Sequence, residues 1–328
     1  MHAIRLHAFG PPENLRYEEI PDPEPAWGEA RIAVAAAGVH LLDTMLRAGN
    51  AGPPMGLPQL PHIPGREVAG VVDAVGGGVD PSWLGLRVVA HLGPTPAVGG
   101  YAGRTVVAAD ALHALPDELG YEAAVAMVGT GRTALAVLEA ADLTSTDVVV
   151  VTSAAGGIGT LLVQAARNLD ALVVGLAGGE QKVARVKALG ANVAVDYTLP
   201  DWPQRVRDAL GDFEPTVAID GVGGDVGREL ICLLGPGGRL VLAGWSSGSP
   251  TELTSGDLYA NGLTATAAIG PRMLRRTGGL RDLETAALTA AARNELRPAI
   301  APFPLHDAAS AHTALEGRQT TGKVVLRV

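Results

Sequence analysis

The sequence predicts an α/β protein whose central part forms a doubly wound parallel sheet. The first observation is a run of β-branched residues that passes through a glycine-containing turn into an apolar helix, over residues 148–169. The second is the alternation of predicted strands and helices that continues to residue 270. The third is the length of 328 residues, which exceeds the usual size of one hydrophobic core. We therefore expect two domains.

The first 121 residues predict a β-rich region that is interrupted by glycine and proline turns. Its clearest strands are expected at residues 30–36 and 66–75. Helical periodicity begins at residue 122, where the density of glycine and proline falls. This change marks the expected boundary between a β-rich part and an α/β part.

The turn at residues 153–159 reads Ser-Ala-Ala-Gly-Gly-Ile-Gly. The valines before it suit a strand buried on both faces, and residues 160–169 predict a helix after it. Gly156 and Gly159 let the backbone turn sharply and approach a pyrophosphate, whose charge the helix N-terminus receives. Ser153 replaces the first glycine of the usual G-x-G-x-x-G fingerprint. In this strand–turn–helix context the pattern predicts dinucleotide binding, and a purely structural turn is the alternative.

Five further strands are predicted, with helices between them. The strands are expected at residues 171–176, 193–195, 216–219, 239–242 and 263–269, and the intervening helices include residues 181–189 and 204–209. Small residues follow several of these strands, around Gly178, Val222 and Gly244. Such loops lie at the carboxyl edge of a parallel sheet, where a ligand can approach the backbone.

The end of the second predicted strand bears on the choice of cofactor. A site for NAD places an Asp or Glu there to hold the ribose 2′-hydroxyl. Here Ala177 and two glycines follow, and Glu180 comes later. Lys182 is placed to meet a 2′-phosphate as a point charge, with an ordinary exposed helix lysine as the alternative. The missing acid favours NADPH over NADH.

Composition excludes several classes of function. A net charge of −9 argues against nucleic acid and anionic membrane surfaces as partners. The N-terminus has no signal-peptide core, and no apolar run approaches the ~18 residues of a membrane span. The single cysteine, Cys232, excludes an internal disulfide and suits the cytoplasm. Its apolar neighbours predict a buried, inert thiol.

Five stretches together resemble the medium-chain dehydrogenase/reductase superfamily, and most closely its zinc-free quinone oxidoreductase branch, which includes zeta-crystallin. They are MHAIRLHAFGPPENL (1–15), AAAGVHLLD (35–43), PGREVAG (64–70), the turn at 153–159 and TTGKVV (320–325). The resemblance runs nearly end to end. It implies a GroES-like catalytic domain from residues 1–121 and 271–328, with a Rossmann dinucleotide-binding domain at 122–270 inserted. It also implies a cofactor cleft between the domains and usually a homodimer paired through the nucleotide-domain sheets.

The residues predict a site without metal. A structural zinc site needs a set of cysteines that one thiol cannot supply. In the zinc-dependent relatives, the catalytic ligands stand at positions that hold His40, Arg66 and Gly129 here. Arginine cannot ligate zinc because its guanidinium has no lone pair to offer. His40, where zinc-free relatives commonly have Asn, is predicted to act on the substrate carbonyl as a donor or proton relay, or else to be a packed histidine.

The resemblance also assigns roles to residues outside the glycine turn. It places Thr133 beside the nicotinamide and Asp43 near the catalytic cleft, with helix capping over residues 44–47 as the alternative for Asp43. Tyr197 and Arg318 match positions that surround the 2′-phosphate together with Lys182, and an exposed surface residue is the alternative for Arg318. The predicted catalytic residues are His40, Asp43 and Thr133. The predicted cofactor-binding residues are Thr133, Ala155, Gly156, Gly157, Ile158, Gly159, Gly178, Lys182, Tyr197, Val222, Gly244 and Arg318.

These features predict a cytoplasmic, NADPH-dependent reductase of quinones or related enones, which accept hydride without a metal because they are already electrophilic. An enoyl-thioester or 2-alkenal reductase, and a non-catalytic NADPH-binding, crystallin-like protein, are the alternatives. An alcohol dehydrogenase is disfavoured because an alkoxide needs a Lewis acid or a base. Met45 and residues 50–55 stand where some quinone reductases carry tyrosines, which predicts a more open or more apolar pocket.

Overall fold

The computed structural model describes residues 1–50, 56–93 and 99–328. The chain divides into two compact units, residues 1–130 with 287–328, and residues 131–286. These bounds differ from the division expected at residues 122 and 271. The helix at Tyr121–Ala126 packs on strands of the first unit, and Met273 and Leu283 pack with Ala136 in the second. These packing contacts decide to which unit each segment belongs. They are formed in three dimensions, so the local composition of the sequence does not reveal them.

The N-terminal segment of the first unit consists mainly of antiparallel strands. Its elements are β1 (His2–Leu6), β2 (Leu15–Glu19), β3 (Glu29–Val39), α1 (Leu41–Ala48), β4 (Glu67–Val75), β5 (Arg87–His91), β6 (Arg104–Ala108), β7 (Leu112–Ala114) and α2 (Tyr121–Ala126). A π-helical turn, Met127–Gly131, follows α2.

The second unit alternates helices with strands. Its elements are α3 (Arg132–Ala141), β8 (Val148–Val151), α4 (Gly157–Asn168), β9 (Leu172–Ala177), α5 (Glu180–Ala188), β10 (Val193–Asp196), α6 (Trp202–Leu210), β11 (Val217–Asp220), α7 (Gly224–Leu233), β12 (Arg239–Leu242), α8 (Ser255–Asn261), β13 (Thr264–Ala267), α9 (Pro271–Leu274) and α10 (Gly279–Ala292). The division between the units falls inside α10. The chain then completes the first unit with β14 (Ile300–Pro304), α11 (Ala308–Glu316) and β15 (Lys323–Arg327).

The sheet of the second unit is parallel throughout, in the order β10-β9-β8-β11-β12-β13. The order reverses between β8 and β11, which is the switch point where ligands bind in doubly wound sheets. All six predicted strands are present, so the predicted fold class is confirmed. The helix after the glycine turn begins at Gly157, three residues before its predicted start, because the glycines themselves form its first turn.

The main sheet of the first unit has the order β14-β15-β3-β4-β5-β7, and β6 also pairs with β3. The C-terminal strand β15 therefore lies inside the sheet, antiparallel to β3. β3 runs to Val39, three residues beyond its predicted end, because Val39 pairs with Val324 of β15. A partner almost 300 positions away extends this strand.

Two features differ from simple readings of apolar sequence. Cys232 is exposed, so the prediction of a buried thiol was wrong. It lies on α7, where Ile231 and Leu233 on either side are buried, and the helical rotation turns Cys232 outwards.

The helical segment Tyr121–Ala141 has the length and the apolar composition of a membrane span, but 61% of its most apolar stretch is buried inside the protein. The core helix of a soluble protein passes the same test.

Candidate active site

The glycine turn joins β8 to α4 at the switch point of the parallel sheet. Ser153 takes a left-handed conformation, with φ of 49°, and the Gly156 N–H donates to its carbonyl oxygen at 2.9 Å. A Cβ atom on Gly159 would lie 2.3 Å from the Ser153 oxygen and 2.7 Å from the Ala154 Cα. Only glycine allows the helix to approach the turn so closely.

This close packing makes the N-terminus of α4 a site for an anion. Gly156 is the N-cap, and the backbone N–H groups of the first helical turn, which includes Gly157, Ile158 and Gly159, have no partner within the helix. Together with the helix dipole, such groups favour a phosphate. The predicted residues of this turn, with Ala155, therefore form one continuous segment that fits a pyrophosphate.

Val222 and Gly244 lie on two neighbouring loops at the same edge of the sheet. The N–H of Ser247, which follows Gly244 in the second loop, donates to the Val222 carbonyl oxygen at 2.9 Å. A Cβ atom on Gly244 would lie 3.6 Å from the Gly221 oxygen. The loop that follows β11 adjoins the end of β8, because these two strands are neighbours in the sheet, and the loop that follows β12 lies on its other side.

Asp220 organises this edge, and the sequence analysis did not identify it. Its fully buried carboxylate accepts the N–H groups of Val222 and Gly223, each at 2.9 Å. Thr152, at the end of β8, accepts the Gly221 N–H at 2.8 Å and so joins the two strands at the switch point. The signal in the sequence was a carboxylate at the end of a buried strand, directly before a glycine-rich loop.

Gly178 and Tyr197 lie close together at the next corner of the sheet, and Lys182 lies in the first turn of α5, which begins two residues after Gly178. A Cβ atom on Gly178 would lie 4.0 Å from the Tyr197 hydroxyl, and the backbone N–H of Lys182 donates to Gly179 at 3.1 Å. A carboxylate does lie near this corner, on Asp196, where it accepts the N–H and the hydroxyl of Thr198 at 2.9 and 2.6 Å. Burial raises the pKa of Asp196, but these hydrogen bonds outweigh it and lower that pKa overall. The carboxylate of Asp196 therefore stabilises the loop that follows β10.

Thr133 and Arg318 lie in different units. Thr133 is half-buried in the first turn of α3, next to Arg132, whose guanidinium pairs with the buried Glu284 of α10. Arg318 belongs to the first unit, where it is exposed in the turn after α11. His40 and Asp43 also belong to the first unit, and the other predicted cofactor residues belong to the second.

His40 contacts a buried ion pair of the first unit. Its Nε2 lies 2.7 Å from Oε1 of Glu67, whose Oε2 lies 2.9 Å from Nζ of Lys323. Glu67 is 0% exposed, and Lys323 is also buried, whereas His40 is partly exposed. Burial by itself raises the pKa of Glu67, but the charges of His40 and Lys323 outweigh it and hold that pKa well below its usual range. The carboxylate is thus an anion that faces the His40 ring.

The residues at this place do not fit a catalytic zinc. A Cβ atom on Gly129 would lie only 1.4 Å from Glu67 Oε1, so the carboxylate fills the space that a ligand side chain at position 129 would need. The nearby Arg66 offers no lone pair. Over the described ranges 1–50, 56–93 and 99–328, no three His, Cys, Asp or Glu side chains are grouped as a metal site.

Asp43 caps helix α1, which spans Leu41–Ala48 rather than the predicted residues 44–47. Its Oδ2 accepts the His40 N–H at 2.8 Å, as the reciprocal half of a capping box. The same oxygen accepts the hydroxyl of buried Tyr101 at 3.2 Å. The other neighbour of that hydroxyl is Nε2 of His312, also at 3.2 Å. Burial, followed by the charge of Asp43, raises the pKa of Tyr101 well above its usual value.

A cavity of about 440 Å³ opens beside Asp43 in the first unit. Leu46, Gln59 and Arg66 are among the side chains that line it. Met45 is exposed. Residues 51–55, which belong to the stretch predicted to open the pocket, lie outside the described part of the chain.

Two family models match the chain in succession. An alcohol dehydrogenase GroES-like domain matches residues 26–117, and a zinc-binding dehydrogenase model matches residues 157–283. The first match falls within the β-rich unit. The second begins inside the glycine turn and covers the strands of the parallel sheet from β9 to β13.

Similar proteins cover the whole chain. A 2-haloacrylate reductase of a Burkholderia species is 30% identical over 99% of this chain and 98% of its own length, and a quinone oxidoreductase of Salmonella typhimurium is 31% identical over 98% of each. The crystal structure of Escherichia coli quinone oxidoreductase complexed with NADPH has a TM-score of 0.87 at 29% identity, over all of both chains. A structure described as an NAD-dependent alcohol dehydrogenase has a TM-score of 0.88 at 32% identity, again over all of both chains.

Proposed function

The chain belongs to the medium-chain dehydrogenase/reductase superfamily, in its quinone oxidoreductase branch, and on this premise we propose that it is an NADPH-dependent reductase of quinones and related enones. The observation that carries the proposal is the tightly packed glycine turn at the switch point of the sheet, in a chain similar to quinone oxidoreductases over its full length. The NADPH-bound structure of one such relative supports the same cofactor here.

The residues of the second unit fit this cofactor. We assign the pyrophosphate to the turn from Ala155 to Gly159, and the adenosine 2′-phosphate to Lys182 and Tyr197. Arg318 is the third residue that the family resemblance assigns to this phosphate. Val222 and Gly244 offer close backbone approach, and Thr133 orients the nicotinamide. When bound, NADPH supplies the hydride. The end of β9 carries Ala177 and Gly178 rather than a carboxylate, which favours the phosphorylated cofactor.

In the first unit, the residues fit metal-free activation of the acceptor. His40 is the proton donor to the acceptor oxygen, and the buried Glu67 holds the imidazole in place. Lys323 neutralises the second oxygen of Glu67, which makes both of them positioning residues. Asp43 shapes the site by capping the helix that begins beside His40. Quinones and enones suit such a site because no Lewis acid is needed.

Two of the relatives favour different variants of this function. The 2-haloacrylate reductase favours reduction of an activated carbon–carbon double bond, which uses the same hydride and proton transfers. The structure described as an alcohol dehydrogenase favours oxidation of an alcohol with NAD. Within the described ranges, the residues at positions 40, 66, 67 and 129 do not make the zinc site that alkoxide stabilisation needs.

We further propose that the protein is cytoplasmic and forms a homodimer. The net charge of −9 argues against anionic membranes and nucleic acid as partners. The strand β13 ends the parallel sheet of the second unit, and its backbone is available to pair with a second copy.

The decisive measurement is NADPH oxidation, followed by absorbance, with a series of quinones from benzoquinone to phenanthrenequinone. It is repeated with NADH and in the presence of EDTA. We expect turnover that prefers NADPH and is insensitive to EDTA. NADPH binding without turnover of any quinone or enone would contradict the enzyme assignment, and loss of turnover in EDTA would contradict the metal-free one.

A further inference from the structure

The loop that follows β12 carries an exposed tryptophan. Trp245 comes directly after Gly244, and 59% of the residue is exposed. Over the described ranges 1–50, 56–93 and 99–328, its indole makes no ring-stacking or cation–π contact with another side chain. An indole is a large apolar group, which proteins usually bury or use in binding. A wide aromatic surface is therefore available to a ligand at this position.

The backbone that supports Trp245 is held in place. The Gly248 N–H donates to the Trp245 carbonyl oxygen at 3.0 Å, and the Ser247 N–H donates to the Val222 carbonyl oxygen at 2.9 Å. A Cβ atom on Gly223 would lie 2.8 Å from the Cβ atom of Trp245, so the glycine leaves room for the tryptophan. The indole is thus exposed on a loop that hydrogen bonds and close packing fix to its neighbour.

The order of the parallel sheet indicates which half of the cofactor lies beside this loop. The adenosine 2′-phosphate is assigned to residues that follow β9 and β10, and the pyrophosphate to the turn that follows β8. The strands β11 and β12 lie on the other side of β8, in this order. A dinucleotide that crosses the switch point therefore extends its nicotinamide half towards the loops after β11 and β12.

Helix α3 supports the same placement. It packs against β12. The guanidinium of Arg239, at the start of β12, donates to the carbonyl oxygen of Asp142, the residue after α3, at 3.3 Å. The helix therefore runs antiparallel to the strand, and its first turn points towards the end of β12 that leads to Trp245. That turn contains Thr133, which is assigned to orient the nicotinamide.

Resting on the proposed reductase function, we propose that Trp245 is a specificity-determining residue, whose indole stacks on the ring system of an aromatic acceptor and favours polycyclic quinones over quinones of one ring. Hydride transfer requires the acceptor to lie against the nicotinamide. An acceptor in that place is beside Trp245. The hydride and one proton reduce the quinone to its hydroquinone, and the nicotinamide is oxidised.

The preference follows from the area and the charge distribution of the two ring systems. The face of an indole is rich in electrons and a quinone ring is poor in them, so offset stacking of the two is favourable. Fused rings increase the apolar surface that the contact removes from water. A quinone of one ring covers less of the indole and depends less on Trp245.

The test compares quinones of different ring number. With saturating NADPH, kcat/KM is measured for 9,10-phenanthrenequinone and for 1,4-benzoquinone in the wild type, Trp245→Leu, Trp245→Phe and the control Phe213→Leu. Phe213 is an exposed aromatic residue of the same unit, in the loop that leads into β11, at the opposite edge of the sheet. The ratio of the two kcat/KM values is compared between proteins, because the intrinsic reactivity of each quinone then cancels.

In Trp245→Leu, the ratio of kcat/KM for phenanthrenequinone to that for benzoquinone should fall by about five-fold or more. Trp245→Phe should give an intermediate ratio, since phenylalanine keeps an aromatic face of smaller area. Phe213→Leu should not change the ratio.

An unchanged ratio in Trp245→Leu would overturn the inference, even if both kcat/KM values fell together, because a common loss would show only that Trp245 supports the loop or the cofactor. Equal losses in Trp245→Leu and Trp245→Phe would overturn stacking as the cause. Wild-type turnover of benzoquinone without turnover of phenanthrenequinone would overturn the inference and leave the proposed function standing. Absence of turnover with every quinone and enone would overturn the proposed function.

Binding of an unreactive analogue gives a readout that needs no turnover. 9-Phenanthrol has the same three fused rings but cannot accept a hydride, and its dissociation constant is measured by calorimetry on protein saturated with NADP⁺. In Trp245→Leu this dissociation constant should rise by about five-fold or more, and in Phe213→Leu it should stay at the wild-type value. Equal dissociation constants in the wild type and Trp245→Leu would contradict stacking on the indole.

Discussion

At the scale of single residues, buried polar side chains set the local geometry of both units. Asp220 closes the loop after β11 by accepting two backbone N–H groups. Asp43 joins its own helix cap to Tyr101, which in turn contacts His312. Each of these polar groups is buried away from water. Each must therefore form hydrogen bonds within the protein or carry no charge.

His312 makes stability depend on pH. Burial lowers its pKa to about 4, with smaller and opposing effects of Asp43 and Arg47. Its folded pKa lies below the value of 6.5 expected in the unfolded chain, so the unfolded state binds more protons between these values. We expect this residue to contribute a loss of about 2 kcal/mol in unfolding free energy from pH 7 to pH 5, measured by urea denaturation.

The comparison with His312→Gln isolates this effect from that of the carboxylates. Between pH 7 and pH 5, the unfolding free energy of the variant should fall by about 2 kcal/mol less than that of the wild type. The variant should nevertheless be less stable than the wild type at pH 7. The control is His2→Gln, at an exposed histidine of the same unit, which should follow the wild type. A drop of equal size in wild type and His312→Gln would show that His312 does not titrate as a buried neutral group.

Lys182→Ala tests the cofactor choice. If the ammonium group meets the 2′-phosphate, the KM for NADPH should rise by about ten-fold or more, with little change for NADH. The matched control is Lys187→Ala, which removes an exposed lysine from the same helix α5. Steady-state kinetics with each cofactor measures both KM values. An equal rise in the KM for NADPH and for NADH in Lys182→Ala would contradict the assignment of Lys182 to the 2′-phosphate.

At the scale of elements, one ion pair links distant strands of the first unit. Glu67 comes from β4 and Lys323 from the C-terminal strand β15, and β3 lies between these two strands in the sheet. A Cβ atom on Gly38 of β3 would lie 2.2 Å from Glu67 Oε2, so the middle strand leaves room for the pair. The pair thereby links β4 to the C-terminal strand β15 beside His40.

Glu67→Gln should destabilise the protein by about 3 kcal/mol or more, because Lys323 is left buried without its counter-charge. The double variant Glu67→Gln, Lys323→Met should recover most of this loss, since no buried charge remains. The control is Glu122→Gln, which breaks the more exposed pair with Arg327 and should cost less than about 1 kcal/mol. Unfolding in urea is measured for these three variants, for the single variant Lys323→Met and for the wild type. Strictly additive effects of Glu67→Gln and Lys323→Met would contradict the coupling.

The sequence predicted whether a segment forms a strand or a helix more accurately than it predicted the residues at which the segment begins and ends. β8 to β13 follow from β-branched runs and small-residue turns, which are local signals. The extension of β3 to Val39 and the internal place of β15 depend on pairing between remote segments. The exposure of Cys232 depends on the rotation of α7, which a run of apolar letters does not encode.

At the scale of the whole molecule, the edge strand β13 bears on assembly. Its residues Thr264 and Ala267 are exposed, and the strand ends the parallel sheet. Light scattering should give about twice the chain mass of 33.4 kDa. Lysines at both positions should shift the protein toward the monomer, because charges on an edge strand oppose pairing.

Ser145→Lys is the control for the dimer, since it adds a charge at an exposed loop position of the same unit. It should leave the mass at the dimer value. A wild type of monomer mass would contradict the homodimer, and an unchanged dimer in the Thr264→Lys, Ala267→Lys protein would place the interface elsewhere.

The sequence by itself determined the fold class and the glycine turn. Both rest on local signals: a buried valine strand, glycines where the helix must approach the turn, and the absence of an acid at the end of β9. It also excluded the thiol ligands of a structural zinc, because the chain has a single cysteine.

Only the tertiary structure decided how the candidate catalytic residues are supported. Nothing near His40 in the sequence shows that Glu67 and Lys323 stand behind it, or that the carboxylate fills the space beside Gly129. Electrostatic partners are set by distance in space, which strand pairing creates between residues that are far apart in the chain.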